Sequence, residues 1–259
     1  MKTNGKTQSL TTTETSLKLL EHVRREGGAR LVDLTEALDK PKSTLYSHLH
    51  TLEERGYLVA EDKEYHVGLK LLQFGESARN RKPMYDRARE YVDELVDETG
   101  EEGGFQVEEN GRSIMIYNSA ASPRSAAFAP GMAGYMHDNA AGKAILAEMS
   151  TKKVESIIDR WGLPARTERT VTDPNKLSDE MATIRERGYA TTDSEYTEGL
   201  CAIGVAVTDP DDTVFGAFSL GIPSYRKPRG QPNDELTRAV QNVADALEED
   251  LIETSSVSK

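Results

Sequence analysis

The segment from residue 42 to residue 51 carries the residues with the clearest chemical potential in this sequence. Leu45, Leu49 and Leu52 recur at i, i+4 and i+7, the spacing of one buried helix face. The opposite face and its flanks carry side chains that hydrogen-bond to phosphates or base edges: Ser43, Thr44, Tyr46, Ser47, His50 and Thr51. Lys42, at the helix start, can join the first backbone amides in holding a phosphate. The pattern indicates a helix that contacts double-stranded DNA.

Two helical patterns precede this segment. Leu17, Leu20 and Val23 form the apolar stripe of the first helix, which starts after a threonine cluster and stops at a Gly-Gly pair. A shorter second helix occupies residues 31–38 and ends before Pro41, because proline disfavours helical geometry in the residue before it. Two helices and a tight turn therefore lead into the DNA-contacting helix.

The third helix is expected to begin with Ser43 as its N-cap and to end at Gly56. Two β-rich runs, residues 57–59 and 65–67, then flank an acidic turn that contains Lys63, a further candidate for DNA contact. The order helix, helix, turn, helix, hairpin predicts a winged helix-turn-helix. The alternative is a helical hairpin whose polar face is simply exposed to solvent.

Charge is distributed unevenly along the 259 residues. Residues 1–80 hold 12 Lys/Arg and 12 Asp/Glu, whereas residues 81–259 hold 20 and 32, so the whole net charge of −12 lies in the second part. This argues against a protein that coats nucleic acid or anionic membranes with its entire surface. It favours a protein in which the neutral part, residues 1–80, approaches a polyanion while the acidic part, residues 81–259, is repelled by it. The acidic composition would also suit a salt-rich cytoplasm.

The sequence contains no candidate for a membrane span. The longest stretch without a charged side chain or histidine runs over residues 213–225, shorter than the roughly 20 apolar residues that a span requires. The first residues are polar and do not resemble a secretory leader. We expect a cytoplasmic protein with no membrane partner.

The second part reads as an antiparallel α/β domain. Two strand patterns flank Asn110-Gly111, a strong hairpin signal because both residues tolerate positive φ. Helices are predicted over residues 69–76, 85–96, 140–149, 174–187 and 233–252, and further strands over residues 203–208 and 214–220. No strand, glycine-rich turn and helix follow one another as a nucleotide-binding fold would require. The predicted fold class is α+β, with a DNA-binding domain over residues 9–70 and a second domain over residues 71–254.

Metal and nucleophile chemistry has weak support. His48 and His50 are two residues apart on one helix and point in nearly opposite directions, so they cannot chelate a metal together. Cys201 is the single cysteine, and a buried structural thiol is the simpler interpretation. The acidic run at residues 209–212 is best interpreted as a solvated turn between strands. No metal site and no cofactor are expected.

Several segments resemble one known family. Residues 41–46 (PKSTLY), 52–58 (LEERGYL) and 65–68 (YHVG) are similar to the DNA-binding domain of the IclR family of transcriptional regulators. Residues 136–144 (MHDNAAGKA), 188–190 (GYA) and 198–200 (EGL) are similar to motifs of the effector domain of that family. The resemblance covers most of the chain, from about residue 17 to residue 252.

The resemblance implies a GAF-like domain that binds a small organic acid or aromatic metabolite, and a homodimer or homotetramer on operator DNA. Carried over by position, the ligand site would use the backbone amides of Ala140 and Ala141 at a helix start, where the helix dipole favours an anion. The complete set of predicted effector-binding residues is Asn139, Ala140, Ala141, Asp193, Ala202 and Ser219.

This sequence departs from the family pattern at three positions of the ligand site. A cysteine common in the family is replaced by Ala202, and Cys201 lies one position early, on the opposite face of its strand. A carboxylate found in some members corresponds to Thr192, and a strand serine corresponds to Gly221. We therefore expect a different metabolite or a weakened sensor.

Two functions from different classes remain open on the sequence. The first is a transcriptional regulator whose operator binding a small metabolite modulates. The second is a thiol-dependent or acid/base enzyme that acts on an organic acid, with the helical head used for oligomerisation. Replacing Cys201 by alanine would abolish turnover in the second case and leave DNA binding nearly unchanged in the first.

Overall fold

The computed structural model describes residues 9–120, 128–226 and 234–257. Contacts divide the chain into two units, Met1–Arg81 and Lys82–Lys259. The assignment of a DNA-binding domain to residues 9–70 and an effector domain to residues 71–254 stays a prediction. Each unit has its own hydrophobic core.

Four helices and a three-stranded sheet form the described part of the first unit, residues 9–81. In chain order they are α1 Thr11–Glu26, β1 Ala29–Arg30, α2 Leu31–Leu38, α3 Lys42–Glu54, β2 Leu58–Glu61, β3 Glu64–Val67 and α4 Lys70–Arg79. The sheet is antiparallel with the order β1-β3-β2. At the tip of the β2–β3 hairpin, Asp62 and Lys63 both have positive φ, which matches the twist of the strands. The predicted winged helix-turn-helix is confirmed.

Packing of the first unit corrects two predictions. In α1 the buried residues are Thr15, Leu19 and Val23, spaced four apart, whereas Leu17 is 54% exposed; the predicted stripe is therefore shifted. Ser43 does not cap α3, because Pro41 occupies the N-cap position and Lys42 already begins the helix. The expected stripe of α3, by contrast, is buried.

The second unit is built on one antiparallel sheet with helices on both faces. In chain order its elements are α5 Met84–Thr99, β4 Glu102–Glu109, β5 Arg112–Ser119, β6 Ala133–Tyr135, α6 Ala140–Glu148, α7 Thr151–Trp161, α8 Pro174–Arg187, β7 Ala190–Asp193, β8 Leu200–Thr208, β9 Val214–Pro223, a short 3-10 helix Ser224–Arg226 and α9 Asp234–Val257. The strand order is β6-β5-β4-β9-β8-β7, and every neighbouring pair is antiparallel.

Side chains alternate between the two faces of the sheet along each strand, and each face contributes to a separate hydrophobic core. Helices α5 and α9 pack on one face, where Phe105 and Phe218 are fully buried with ring centroids 4.8 Å apart. Helices α6, α7 and α8 form a second core around Leu146 and Leu177, with Ala190 and Ala217 contributed by the sheet. The predicted α+β class is confirmed.

The hairpin at Asn110-Gly111 and helix α8 match their predictions, and both depend on strong local signals. Asn110 and Gly111 have φ of 56° and 78°. Helix α8 is capped by Asp173, whose carboxylate accepts hydrogen bonds from two backbone amides. Strands β6 and β7 were not predicted, because each is short. Helix α7 was missed although Val154, Ile157, Ile158 and Trp161 recur at helical spacing. In the described ranges, none of the helices combines the length and the apolar character that a bilayer span demands.

Candidate DNA-contacting helix and ligand cavity

The polar face of α3 lies open to solvent. Every residue predicted to contact DNA is exposed: Lys42, Ser43, Thr44, Tyr46, Ser47, His50, Thr51 and Lys63. Seven of these lie on α3, and Lys63 lies at the tip of the β2–β3 hairpin. The opposite side of α3 is held by Leu45, Leu49 and Leu52. The core therefore orients the helix so that its hydrogen-bonding side chains face outwards.

Hydroxyl groups on α3 already bond within the helix. Ser47 Oγ donates to the carbonyl of Ser43 at 3.1 Å, and Thr51 Oγ1 donates to the carbonyl of Ser47 at 2.8 Å. Their oxygen lone pairs remain available to accept, and a rotation about χ1 is needed for donation to a phosphate. The rings of Tyr46 and His50 stack with centroids 6.3 Å apart, which makes a flat surface beside the hydroxyls.

His48 has a different role from its neighbours on α3. Its Nδ1 lies 2.8 Å from Ser16 Oγ, so this hydrogen bond joins α3 to α1. It thus supports the position of the exposed face without being part of it. Lys63, with φ of 70°, is surrounded in sequence by three carboxylates, which weakens its attraction for a phosphate.

A cavity opens in the second unit between the sheet and the start of α6. Its volume is about 640 Å³ with the open mouth included. Its apolar lining includes Met115, Phe128, Met132, Tyr196 and Leu200, and its uncharged polar lining comprises Gln106, Ser113, Asn118, Asn139, Thr192 and Ser219. Glu102 also lines the cavity, and its carboxylate accepts hydrogen bonds from Asn118 Nδ2 and from the amide of Phe128. The lining is that of a site for a small amphipathic molecule.

Helix α6 begins directly against the sheet beside this cavity. A Cβ on Gly204 would lie 2.5 Å from the carbonyl carbon of Ala140, so only glycine allows so close an approach. Asn139 caps the helix by accepting from the amide of Gly142 at 2.8 Å. The first amides of the helix have no partner within it, and Ala140 lines the cavity.

The structure brings four of the six predicted effector-binding residues to the cavity. The four that line it are Asn139, Ala140, Ala202 and Ser219. Ala141, on α6, is buried instead in the core formed with α7 and α8. Asp193 is not brought to the cavity either: its carboxylate lies 3.4 Å from Arg169 and its side chain is 44% exposed. The reason is strand alternation, because the preceding residue, Thr192, lines the cavity.

Gln106 and Ser113 line the cavity but were missed by the sequence analysis. Both are buried, with 8% and 1% of their surface exposed. Ser113 Oγ donates to Gln106 Oε1 at 2.5 Å, and Gln106 Nε2 donates to Ser219 Oγ at 3.2 Å. The only sequence signal was a glutamine between two apolar residues of a buried strand, Phe105 and Val107.

Aromatic rings cover the apolar side of the cavity. Phe128 and Tyr196 have centroids 5.0 Å apart, and the Arg166 guanidinium lies 3.9 Å from the centroid of Tyr196. Arg166 also lies 3.8 Å from a carboxylate oxygen of Asp138, which is fully buried. Burial raises the pKa of Asp138 above its usual range, because desolvation outweighs the hydrogen bond from Asn139 and the charge of Arg166.

The described part of the chain bears on the expectations for metal-ligating residues and for the single cysteine. No group of three or more His, Cys, Asp or Glu side chains there could hold a metal ion. Cys201 is buried, and its Sγ lies 3.5 Å from Asp193. The acidic residue Asp209 closes the β8–β9 turn by accepting from the amides of Asp211 and Thr213.

Comparison with known families gives two matches along the chain. Residues 13–62 match the model described as the IclR helix-turn-helix domain. Residues 77–249 match the model described as the C-terminal domain of the bacterial transcriptional regulator IclR. The second match alone covers more than half of the chain.

Relatives and solved structures agree with these matches. A probable HTH-type transcriptional regulator, ArcR, from Halobacterium salinarum is 26% identical over 95% of both chains. The transcriptional repressor IclR from Escherichia coli is 28% identical over 86% of this chain and 82% of its own. The fold is similar to the crystal structure of the Thermotoga maritima IclR, with a TM-score of 0.76 and 23% identity over 94% of this chain and 99% of the other. It is also similar to an IclR homologue from Microbacterium hydrocarbonoxydans complexed with 4-hydroxybenzoate, with a TM-score of 0.78 and 18% identity over 93% and 99%.

Proposed function

Because the chain belongs to the IclR family of transcriptional regulators, we propose that α3 reads operator DNA and that a carboxylate-bearing metabolite in the cavity modulates the binding. The exposed polar face of α3, held outwards by three buried leucines, is the observation that carries the proposal. A regulator of this kind acts in the cytoplasm, where the operator lies. The family is one of regulators and not of enzymes, so the enzyme alternative is not supported.

DNA recognition by α3 follows from its chemistry. Ser43, Thr44 and Ser47 lie near the start of the helix. When the helix lies in the major groove, their hydroxyl groups can hydrogen-bond to base edges. Lys42 and the first amides of α3 would hold a phosphate beside the groove. Most of the acidic residues lie in the second unit, which electrostatic repulsion keeps away from the duplex.

A homodimer is the assembly that we propose on the operator. Helix α4 has no buried residue, and Leu72 and Phe74 on it are 64% and 50% exposed. Leu69, just before the helix, is 88% exposed. Burial of these side chains by a second copy would remove apolar surface from water and would present two α3 helices to half-sites about one helical turn of DNA apart.

The effector that the cavity favours has a carboxylate head and an apolar body. Ala140 at the start of α6 and the hydroxyl of Ser219 offer donors at one side, and Phe128 and Tyr196 offer an aromatic surface at another. The homologue from Microbacterium hydrocarbonoxydans was solved with 4-hydroxybenzoate, an aromatic carboxylate. The departures from the family pattern at Thr192, Ala202 and Gly221 favour either a different metabolite or a weakened sensor.

A selection experiment tests the proposal. Random duplexes bound by the full chain would be enriched and sequenced, and the selected duplex would then be titrated at fixed salt with and without a panel of small carboxylates that includes 4-hydroxybenzoate. We expect an inverted-repeat sequence and a carboxylate-dependent change in affinity. Failure to enrich any sequence would reject the DNA-reading role of α3, and enrichment without any carboxylate effect would reject the sensing role of the cavity.

A further inference from the structure

Three polar side chains cross the sheet as a chain of hydrogen bonds towards the cavity. Ser113 lies on β5, Gln106 on β4 and Ser219 on β9, and these strands are neighbours in the sheet. We call the three residues the relay. Ser113 and Gln106 are more than nine-tenths buried, so each of their polar groups needs a partner.

Hydrogen-bond lengths determine the direction of the relay. The 2.5 Å separation of Ser113 Oγ and Gln106 Oε1 fits an O–H···O bond and is too short for an amide N–H···O bond. The 3.2 Å separation of Gln106 Nε2 and Ser219 Oγ fits an N–H···O bond. The amide of Gln106 therefore has its oxygen towards Ser113 and its nitrogen towards Ser219.

Because Ser219 Oγ accepts from Gln106, its own proton is directed away from Gln106. Among the described residues, Ser219 Oγ makes no hydrogen bond other than the one it accepts from Gln106. The residues paired with Ser219 on the two neighbouring strands are Gly104 and Gly204, so no side chain on either strand covers the hydroxyl. The hydroxyl opens towards the cavity, beside the first residue of α6.

We propose that Gln106 and Ser113 are positioning residues that hold the Ser219 hydroxyl as a hydrogen-bond donor, so that the cavity selects ligands presenting an acceptor at this point. The inference rests on the proposed function of the cavity as an effector site. It assigns selectivity to two residues that do not need to touch the ligand. Their contribution is to remove the alternative state in which Ser219 donates to Gln106 and accepts from the ligand.

Matched pairs of probes test the direction of the relay. Benzoate and benzamidine have the same shape, as do acetate and acetamidine, but the carboxylate only accepts hydrogen bonds and the amidinium only donates them. Calorimetric titration of the full chain should give at least tenfold tighter binding of the carboxylate in one pair. The inference would be overturned if the amidinium bound more tightly than the carboxylate, or if none of the four probes bound.

Substitutions separate positioning from a merely structural role. Ser219→Ala should weaken carboxylate binding about tenfold, as expected for loss of one bond to a charged group, and leave amidinium binding unchanged. Gln106→Met should produce the same selective loss, and the double variant should lose no more than Ser219→Ala alone. Ser113→Ala, which frees the Gln106 amide to turn over, should reduce the preference as well and serves if Gln106→Met does not fold.

The control is Thr237→Val, in helix α9. Thr237 is buried, and its Oγ1 has no hydrogen-bond partner among the described residues, so this variant changes a buried polar group outside the cavity. It should keep the full carboxylate preference. Equal loss of both probes in Gln106→Met, or additive losses in the double variant, would show that the relay only supports the fold. Either result would leave the proposed function intact, because carboxylate binding by the unmodified chain and DNA selection are measured separately.

Discussion

Lys143 Nζ lies 2.6 Å from a carboxylate oxygen of Glu195, and the two side chains are 0% and 10% exposed. A second carboxylate, that of Glu180, lies 2.8 Å from the same ammonium group. Lys143 belongs to α6, which starts at the cavity, and Glu195 precedes the cavity residue Tyr196. The ion pair therefore joins two parts of the cavity wall.

Lys143→Met should destabilise the second unit strongly. Removal of the ammonium group leaves two carboxylates near each other in a buried site, which typically costs about 3–5 kcal/mol. Denaturant unfolding would measure the loss. Lys152→Met, which replaces an exposed lysine on α7, should change stability by less than about 0.5 kcal/mol. Similar effects of the two substitutions would show that the ion pair contributes nothing specific.

Asp138→Asn should change how stability depends on pH. Burial raises the folded-state pKa of Asp138, so this carboxyl favours folding most below its unfolded-state pKa, and that contribution is lost as pH rises through the folded-state pKa. The asparagine variant should gain about 1 kcal/mol over the parent at about pH 8, and the gain should shrink towards about pH 4. Thermal unfolding across this range measures the difference. Asp159→Asn, at an exposed position of α7, should give a flat difference.

Ser47→Glu should weaken duplex binding roughly tenfold or more, because it places an anion against the groove. The matched control is Ser178→Glu, which makes the same change at an exposed serine of α8 in the second unit. Fluorescence titration of a labelled duplex at constant salt would compare the two. Unchanged affinity of the Ser47 variant would remove this residue from the interface.

Gly111→Ala should destabilise more than Gly100→Ala. Both glycines have positive φ, so each substitution carries a backbone cost of about 1 kcal/mol. Of the two, only Gly111 would bring the added Cβ against another group, the indole nitrogen of Trp161 at 2.8 Å; at Gly100 none of the described residues has an atom within 4 Å. Trp161 is the single tryptophan, so its emission should shift in the Gly111 variant alone. Equal stability losses without a spectral change would indicate that α7 moves aside freely.

The amino-acid sequence determined those features that depend on neighbours a few residues apart. The stripe of Leu45, Leu49 and Leu52 defined the buried side of α3 and hence its exposed polar face, since helical periodicity is local. The Asn110-Gly111 turn was equally clear, because few residue pairs tolerate two positive φ angles.

Tertiary structure alone decided which residues meet at the cavity. Ser113, Gln106 and Ser219 come together only because β5, β4 and β9 are neighbours, although β9 follows β4 by about a hundred residues. Side chains alternate between the two faces of the sheet along β7. Thr192, which pairs with the cavity residue Ala202 on β8, therefore lines the cavity, and Asp193 does not. Strand order and register depend on packing across the whole domain, so a local pattern does not contain them.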